Sequence, residues 1–401
     1  MPGLLSAFIL TTSTSRPLTT ADACPGILDL HEARDGHVAR IRLPGGYATG
    51  PRLRRLAALA SQFGNGCADL TSRGNIQLRG IRAADDRELA RRAAAAGLLP
   101  SPAHDRARNI TASPLAGLAG HPDLRRLVHA LDRALRADPG LAALPGRFLF
   151  CLDDGTGRAG IGGCDVGLRW HPCGADLILA GRETGLRGPP PRVIGHAIAA
   201  ARAFLQQRRG VPVATHLAGL PDGGAAVAAA VGGVLAERVT DTVSRLPLGP
   251  VADAWPVAVV AAPLARLKAA QLRLIGSMIR PGEAARLAAA GRIVLPLAEP
   301  VEAALTRLAG AGLLVSDDHI LSAVTACSGM SCARSLADVR SVASRVPGLA
   351  AVHWAGCGRR CGLPADATAV VAISADQFAV GDGPVLQITG PSMLATAVGP
   401  A

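Results

Sequence analysis

Residues 69–81 read DLTSRGNIQLRGI, two runs of alternating apolar and polar residues broken at Gly74-Asn75. Period-two alternation marks a β stretch, and Gly-Asn is the kind of pair that interrupts one. Upstream, His37–Leu43 (HVARIRL) reads as a strand closed by Pro44-Gly45-Gly46, and Leu53, Leu56, Leu59 and Phe63 then recur at near-helical spacing. Downstream, a helix is expected over Asp86–Gly97, with Gly97 as its stop. Because side chains alternate along a strand, Arg73, Asn75, Gln77 and Arg79 are expected on one face. Two guanidiniums and two amides there suit carboxylates or an oxyanion, since arginine donates bidentately. The plainer reading of the same pattern is a solvated strand face.

The order strand, helix, strand, helix returns about 220 residues later: Val257–Ala262, Leu264–Met278, Gly291–Leu295 and Val301–Gly312. The endings match best, AAAAGLLP (93–100) against LAGAGLLV (308–315), and together they indicate an internal duplication. Between the copies, strands Arg147–Leu152 and Asp176–Ala180 alternate with helices Leu124–Leu135 and Arg192–Gln207, the second helix following the break Gly188-Pro189-Pro190-Pro191. Residues 319–375 again read β-α-β-β. The expected organisation is α+β: a flexible leader (1–23), a first half-domain (24–100), a first larger α/β unit (101–245), a second half-domain (246–318) and a final α/β unit (319–401).

A chain of 401 residues with 49% hydrophobic and 18% charged residues can bury a large core, which excludes disorder and fibrous repeats. The formal charge is +12, and Lys268 is the single lysine among 42 cations. Aromatic residues are only 2%, too few for base-stacking platforms, so no nucleic-acid partner is expected and a polycarboxylate fits the arginines as well. The run Gly3–Leu10 lacks preceding basic residues and a cleavage site, and no apolar run is long enough to span a bilayer; a cytoplasmic protein without a membrane partner is expected.

Nine cysteines are an odd number in a chain too large to need disulfide staples. Cys24, Cys67, Cys151, Cys164 and Cys173 are scattered and read as structural. Cys327, Cys332, Cys357 and Cys361 fall within 35 residues. The first pair follows a strand (His319–Ala326); a helix with Leu336, Val339, Ala343 and Val346 on one face leads to a second strand, Leu349–Trp354, that delivers the second pair. Loops at neighbouring strand ends can converge, and four thiolates on short loops suit a [4Fe–4S] cluster. A four-cysteine zinc site is the alternative, although zinc ribbons usually use two-residue spacers where this chain has four and three; unligated thiols are the third reading. Asp154–Gly160 contains a GxGxxG match, but IGGCDVGLRW follows it rather than a helix, so a hairpin turn is expected there and no dinucleotide site. Cys164, His171 and Cys173 read as packing or surface residues.

TSRGNIQLRG (71–80), RNITASPLAG (108–117), LPGRF (144–148) and the paired cysteines together resemble the nitrite/sulfite reductase superfamily. Within it, CPGILDLHEARDGHVARIRLPGG (24–46) and VHWAGCGRRCGLP (352–364) are most similar to the precorrin-3B synthases of aerobic cobalamin biosynthesis. The resemblance implies two ferredoxin-like half-domains about a pseudo-two-fold axis and two larger α/β units. It implies an oxidoreductase, a monooxygenase hydroxylating precorrin-3A at C20 with O2 and closing a lactone. It also implies a [4Fe–4S] cluster on Cys327, Cys332, Cys357 and Cys361, a mononuclear non-haem iron, and electrons drawn from NADH through a donor reductase. The tetrapyrrole's carboxylates would fall to Arg42, Arg73, Asn75, Gln77 and Arg147. A sirohaem-dependent nitrite or sulfite reductase is the alternative on the same fold, and a non-redox binding protein with a zinc site is the second alternative. The chain departs from the family in its four-residue first cysteine spacer, where five is usual, in Arg360 before the last cysteine, where a small residue or Gly is usual, in Leu149, where sulfite reductases carry a second cation, and in AAAGRIVLP (288–296), where a Trp-Arg pair is usual and only Arg292 stands nearby.

Overall fold

The structure is a computed structural model that describes residues 24–242, 245–253, 256–346 and 351–381, and the backbone of 385–387. The expected leader and the start of the strand expected at Leu349 lie outside the described residues. Four five-stranded sheets follow one another along the chain.

The first segment contains β1 (His31–Ala33), β2 (Gly36–Ile41), β3 (Tyr47–Thr49), α1 (Gly50–Phe63), β4 (Cys67–Leu70), β5 (Ile76–Ile81) and α2 (Asp86–Ala95). Leu53, Leu56, Leu59 and Phe63 form the buried stripe of α1, as their spacing predicts. The stretch 69–81 is not one interrupted strand. It is the hairpin β4–β5, with Ala68 opposite Leu78 and Leu70 opposite Ile76. Gly74 turns the chain at φ +67°, a conformation open to Gly at little cost.

The second segment carries β6 (Ile110–Ala112), α3 (Arg125–Ala137), β7 (Phe150–Asp153), β8 (Val166–His171), β9 (Gly174–Leu179), β10 (Arg182–Gly188), α4 (Pro190–Arg208) and α5 (Ala225–Ala230). The GxGxxG match lies between β7 and β8, which pair parallel, so it is a crossover loop and not the expected hairpin turn. The Asp153 carboxylate accepts the amides of Gly155, Gly157 and Ala159 at 2.9, 3.0 and 3.1 Å, which consumes the N–H groups a pyrophosphate would need. Cys164 is buried in a small apolar cluster with Cys151 and Ile178.

The third segment comprises β11 (Gly249–Pro250), β12 (Val257–Ala261), β13 (Arg266–Lys268), α6 (Ala269–Met278), β14 (Ala284–Leu287), β15 (Arg292–Pro296) and α7 (Val301–Gly310). The helix expected from Leu264 begins only at Ala269, because β13 precedes it. That short strand leaves its own half: β13 pairs with β4, Arg266 opposite Asp69, while β3 of the first half pairs with β14, Tyr47 opposite Arg286. Each sheet therefore contains one strand from the other copy. Leu53, Leu56 and Ile76 share one core with Leu272, Ile275 and Ile293, each burial stabilising by about 1.5–3 kcal/mol. At the α1–α6 crossing the helices meet at glycines; a Cβ on Gly276 would lie 2.8 Å from the Gly50 carbonyl oxygen.

The last segment has β16 (Val324–Ala326), α8 (Val339–Ala343), β17 (Val352–Ala355), β18 (Thr368–Ala372), β19 (Gln377–Val380) and β20 (Val385–Gln387). β16, β17 and β18 are parallel, so the loops after β16 and β17 leave the same sheet edge. The expected strand His319–Ala326 is confined to its last three residues, and α8 is shorter than its pattern implies: Val339, Ala343 and Val346 are buried, whereas Leu336 is half exposed.

Candidate functional site

A cleft of about 810 Å³ lies where the first half-domain faces the cysteine-bearing sheet. Arg42, Arg73, Asn75, Gln77 and Arg147 line it together with Cys327, Cys332, Cys357 and Cys361. The structure thus brings all nine sequence-selected residues to one space, although they come from three segments of the chain.

The arginine wall is built on β2 and the β4–β5 turn. Arg42, 3% exposed, donates through Nη2 to the Cys24 sulfur at 3.2 Å and to the Gly146 carbonyl at 3.3 Å. Arg40 lies two residues earlier and so on the same strand face; it donates to the same sulfur at 2.8 Å and to Gln77 Oε1 at 3.0 Å. Arg73 donates to the Arg147 carbonyl at 3.0 Å. Among the described residues no carboxylate comes within ion-pair distance of Arg40, Arg42 or Arg73, and the Nε atoms of Arg40 and Arg42 are buried without a partner. Burial is the largest influence on Arg73; with Arg42 and Arg40 it outweighs the opposing pull of Asp165 and Cys24 and brings the guanidinium down to about 10, still cationic at neutral pH. Partly or fully buried cations without an ion-pair partner are costly unless an anion joins them.

Two expectations change here. Asn75 and Arg79 are not free members of a ligand-facing row. Asn75 is 1% exposed; its Oδ1 accepts the Leu43 amide at 2.9 Å and its Nδ2 donates to Asn109 Oδ1 at 3.1 Å, tying the turn to the second segment. Arg79 is held by Asp35 at 3.0 and 3.2 Å and donates to Ser328 Oγ at 3.2 Å and the Ser331 carbonyl at 2.7 Å, so it clamps the cysteine loop to the first half-domain. The alternation argument failed because residues 71–75 are a turn. Cys24, read as structural, faces the cleft instead. Arg40 was also missed, and the signal was present: HVARIRL sets Arg40 and Arg42 at i, i+2.

At the opposite wall, Cys327 follows β16 and Cys357 follows β17, on adjacent parallel strands. The Cys327 sulfur accepts the amides of Gly356 at 3.2 Å and Gly329 at 3.4 Å. Burial pushes the Cys327 thiol up, the two amides oppose that, and the neighbouring Cys357 and Cys332 add to it. Thiolates gathered in this way need a cation to neutralise them. Among the described residues no three His, Cys, Asp or Glu side chains converge tightly enough for a single metal ion. The four thiols border the cleft from two loops, the setting in which four thiolates would hold either a cluster or a zinc ion. No ligand set for a mononuclear iron is found among the described residues either.

His353 lies beneath the second cysteine loop, 1% exposed. Burial pushes it down to about 4, so it is neutral at pH 7. Its Nε2 donates to the Cys361 carbonyl at 3.1 Å, leaving Nδ1 to accept from Thr325 Oγ1 at 2.9 Å. Arg360 has a left-handed backbone, φ +48°, which accounts for the preference for a small residue or Gly before the last cysteine. Leu149 is buried with Cys151 and Ile161 and puts no charge into the cleft.

The family model for the nitrite/sulfite reductase ferredoxin-like half domain matches residues 31–96. A precorrin-3B synthase of Sinorhizobium is 32% identical over 171 residues, 40% of this chain and 36% of that protein. A ferredoxin–nitrite reductase of Leptolyngbya laminosa is 38% identical over 117 residues, 27% of this chain and 23% of that protein. The matched stretches thus span between about a quarter and a third of these curated relatives. Mycobacterium tuberculosis NirA superposes with a TM-score of 0.70 at 20% identity, covering 88% of this chain and 73% of that one. No helix among the described residues is long and apolar enough to cross a membrane. Half-domain match, curated relatives and fold agree: residues 31–96 match the nitrite/sulfite reductase ferredoxin-like half domain, and the chain has the nitrite/sulfite reductase fold.

Proposed function

We propose that this chain is a precorrin-3B synthase-type oxidoreductase that binds a polycarboxylate tetrapyrrole in the arginine-lined cleft and holds a [4Fe–4S] cluster on Cys327, Cys332, Cys357 and Cys361. The observation that carries the reading is the placement of Arg40, Arg42 and Arg73, none within ion-pair distance of a carboxylate among the described residues, opposite four cysteines in one cleft. Guanidiniums whose internal bonds go only to neutral carbonyls, an amide and a thiol keep their charge available for substrate carboxylates. Arg42 and Arg40 would hold one acid group and Arg73 another, with Gln77 keeping Arg40 in place and Arg147 bordering the entrance. Asn75 acts at one remove, by fixing the turn that presents Arg73. A cluster, when bound, would store and relay electrons toward the macrocycle. Arg79 and His353 would keep its loops in register, and the Gly329 and Gly356 amides would stabilise charge on the Cys327 sulfur.

In this reading the reaction is hydroxylation of precorrin-3A at C20 with lactone closure, O2 being the co-substrate and a nicotinamide-dependent reductase the electron source. The mononuclear iron has no ligand set among the described residues, and no step is assigned to it. A sirohaem nitrite reductase is the second reading, favoured by the ferredoxin–nitrite reductases among the relatives. It uses the same cleft with the tetrapyrrole as prosthetic group. The uncharged Leu149 favours the first reading over sulfite reduction.

The deciding experiment is anaerobic purification with iron, sulfide and zinc analysis and a visible spectrum. About four irons and four sulfides per chain, lost in Cys361→Ser, are expected. Zinc without iron would remove the cluster, and a sirohaem spectrum with nitrite-dependent oxidation of a reduced donor would select the second reading.

A further inference from the structure

We infer that Arg245 and Arg292 form a second, separate binding site for a small oxyanion or a single carboxylate, at the junction of the second half-domain with the cysteine-bearing unit. Arg292 opens β15 and occupies the place of Asn75 in the duplicated strand: Ile293 pairs with Val260 as Ile76 pairs with Ile41. It is 3% exposed, and its Nη2 donates to Asp317 Oδ1 at 3.0 Å, while Nε and Nη1 are buried with no partner. Arg245, just ahead of β11, donates through Nε to Asp366 Oδ2 at 2.9 Å, while its Nη1 and Nη2 are likewise buried with no partner.

Four guanidinium nitrogens withdrawn from water without an acceptor are a standing cost in the empty state. The carboxylates already present do not remove it. Asp317 spends its second oxygen on the Leu248 amide at 2.8 Å, and Asp366 meets Arg245 only through Nε. Each arginine already has one carboxylate, so what attracts a ligand is the set of unmet N–H directions more than net charge. A compact group rich in acceptor lone pairs meets that need, and the planar guanidinium fork matches a tetrahedral oxyanion or a carboxylate. Asp317, which accepts from Arg292, also accepts the amide of Leu248, three residues past Arg245, and this ties the two arginines to one stretch of structure. Burial foremost lowers the Arg292 guanidinium from the usual arginine range, Arg245 adding to it and Asp317 and Asp366 opposing. Neither side chain lines the arginine–cysteine cleft, although Ala290 and Gly291, which directly precede Arg292, do.

The test uses the full chain with inorganic phosphate as probe. At ten times its Kd, phosphate is expected to raise Tm by roughly 2 °C, with the rise retained in Arg73→Gln and lost in Arg245→Gln. A rise lost in Arg73→Gln and retained in Arg245→Gln would place the anion in the main cleft and overturn this inference, while leaving the proposed function standing. Crystals of the wild-type chain soaked in selenate give a readout that needs no variant. An anomalous peak in contact with Arg245 and Arg292 is expected; ordered water alone on those nitrogens would overturn the site.

Discussion

The two half-domains share one scaffold and differ in chemistry. Both run strand, swapped short strand, helix, hairpin and helix, and each donates its short strand to the other's sheet. In the first copy the positions facing the cleft are Arg42, Arg73, Asn75 and Gln77; the register places Ala261, Ala290, Arg292 and Val294 at their counterparts. The crossing pairs have diverged too. Arg266 makes a bidentate ion pair with Asp69, whereas at the equivalent crossing Arg286 lies over the Tyr47 ring, 5.8 Å from its centroid. Backbone pairing and apolar packing tolerate such divergence because they do not depend on which residues face the cleft. Duplication supplied the frame, and of the two copies only the first puts charged side chains at the cleft, the second contributing Leu264, Ala265, Ala290 and Gly291.

The largest expected effect tests the shared frame. Gly74 has φ +67°, and a Cβ there would lie 2.6 Å from the Leu287 carbonyl oxygen of the other half. Gly74→Ala is expected to cost about 3 kcal/mol, combining left-handed strain with overpacking, as read by urea unfolding. Gly291→Ala, at φ +71° and with Ala265 Cα at 2.9 Å, should cost a similar amount. A loss below about 1 kcal/mol in both would break the picture of a tight, symmetric closure.

Next come the charges that separate the copies. Arg73→Ala is expected to weaken binding of a tetracarboxylate porphyrin by about 1.5–3 kcal/mol, roughly 10- to 150-fold, in a fluorescence titration. Val294→Ala in the second copy should leave affinity unchanged, and equal losses would show that both halves hold the ligand. Asp69→Ala strands a partly buried Arg266 and is expected to cost about 2 kcal/mol, the buried-pair value reduced for side chains 22% and 15% exposed. Arg286→Met should be nearly neutral, because it removes a buried charge and keeps the bulk; a reversed order would show that the Tyr47 crossing is the stronger tie.

The smallest effect concerns pH. Glu88 on α2 is held down to about 2 by hydrogen bonds from Arg91 and Arg92, while its counterpart on α7 is Ala303. With the folded value depressed, its stabilising contribution is present above the unfolded value near 4.5 and is lost as pH falls toward 2. The wild type should therefore lose slightly more Tm over that window than Glu88→Gln; matching profiles would show that solvent screening removes the contribution.

Much of the frame was legible in the chain. The buried stripe of α1, the duplication and the two cysteine loops at strand ends were all readable, because helix period and strand alternation report local burial directly. The residues selected for the candidate site are gathered at one cleft, though not all in the setting expected. Arg42, Arg73, Gln77 and the four cysteines line the cleft as selected, but Asn75 and Arg79 are spent on internal bonds and Cys24 and Arg40 were overlooked. What misled was geometry rather than composition: 71–75 is a turn, so alternation stops there, and the region following the GxGxxG match is a parallel crossover.

By itself the sequence determined most of the helices and strands of the frame, that the half-domain occurs twice, and that arginine and cysteine are the residue types gathered at the cleft. These follow from periodicity and residue type, which act over a few neighbours. Only the tertiary structure decided that β3 and β13 change places, that Cys24 sits between two guanidiniums, and which arginines keep no carboxylate. Those outcomes depend on groups tens to hundreds of residues apart along the chain, such as Arg79 with Ser331 and Arg266 with Asp69. Pairings at that range are set by how the sheets close on one another, which no local pattern encodes.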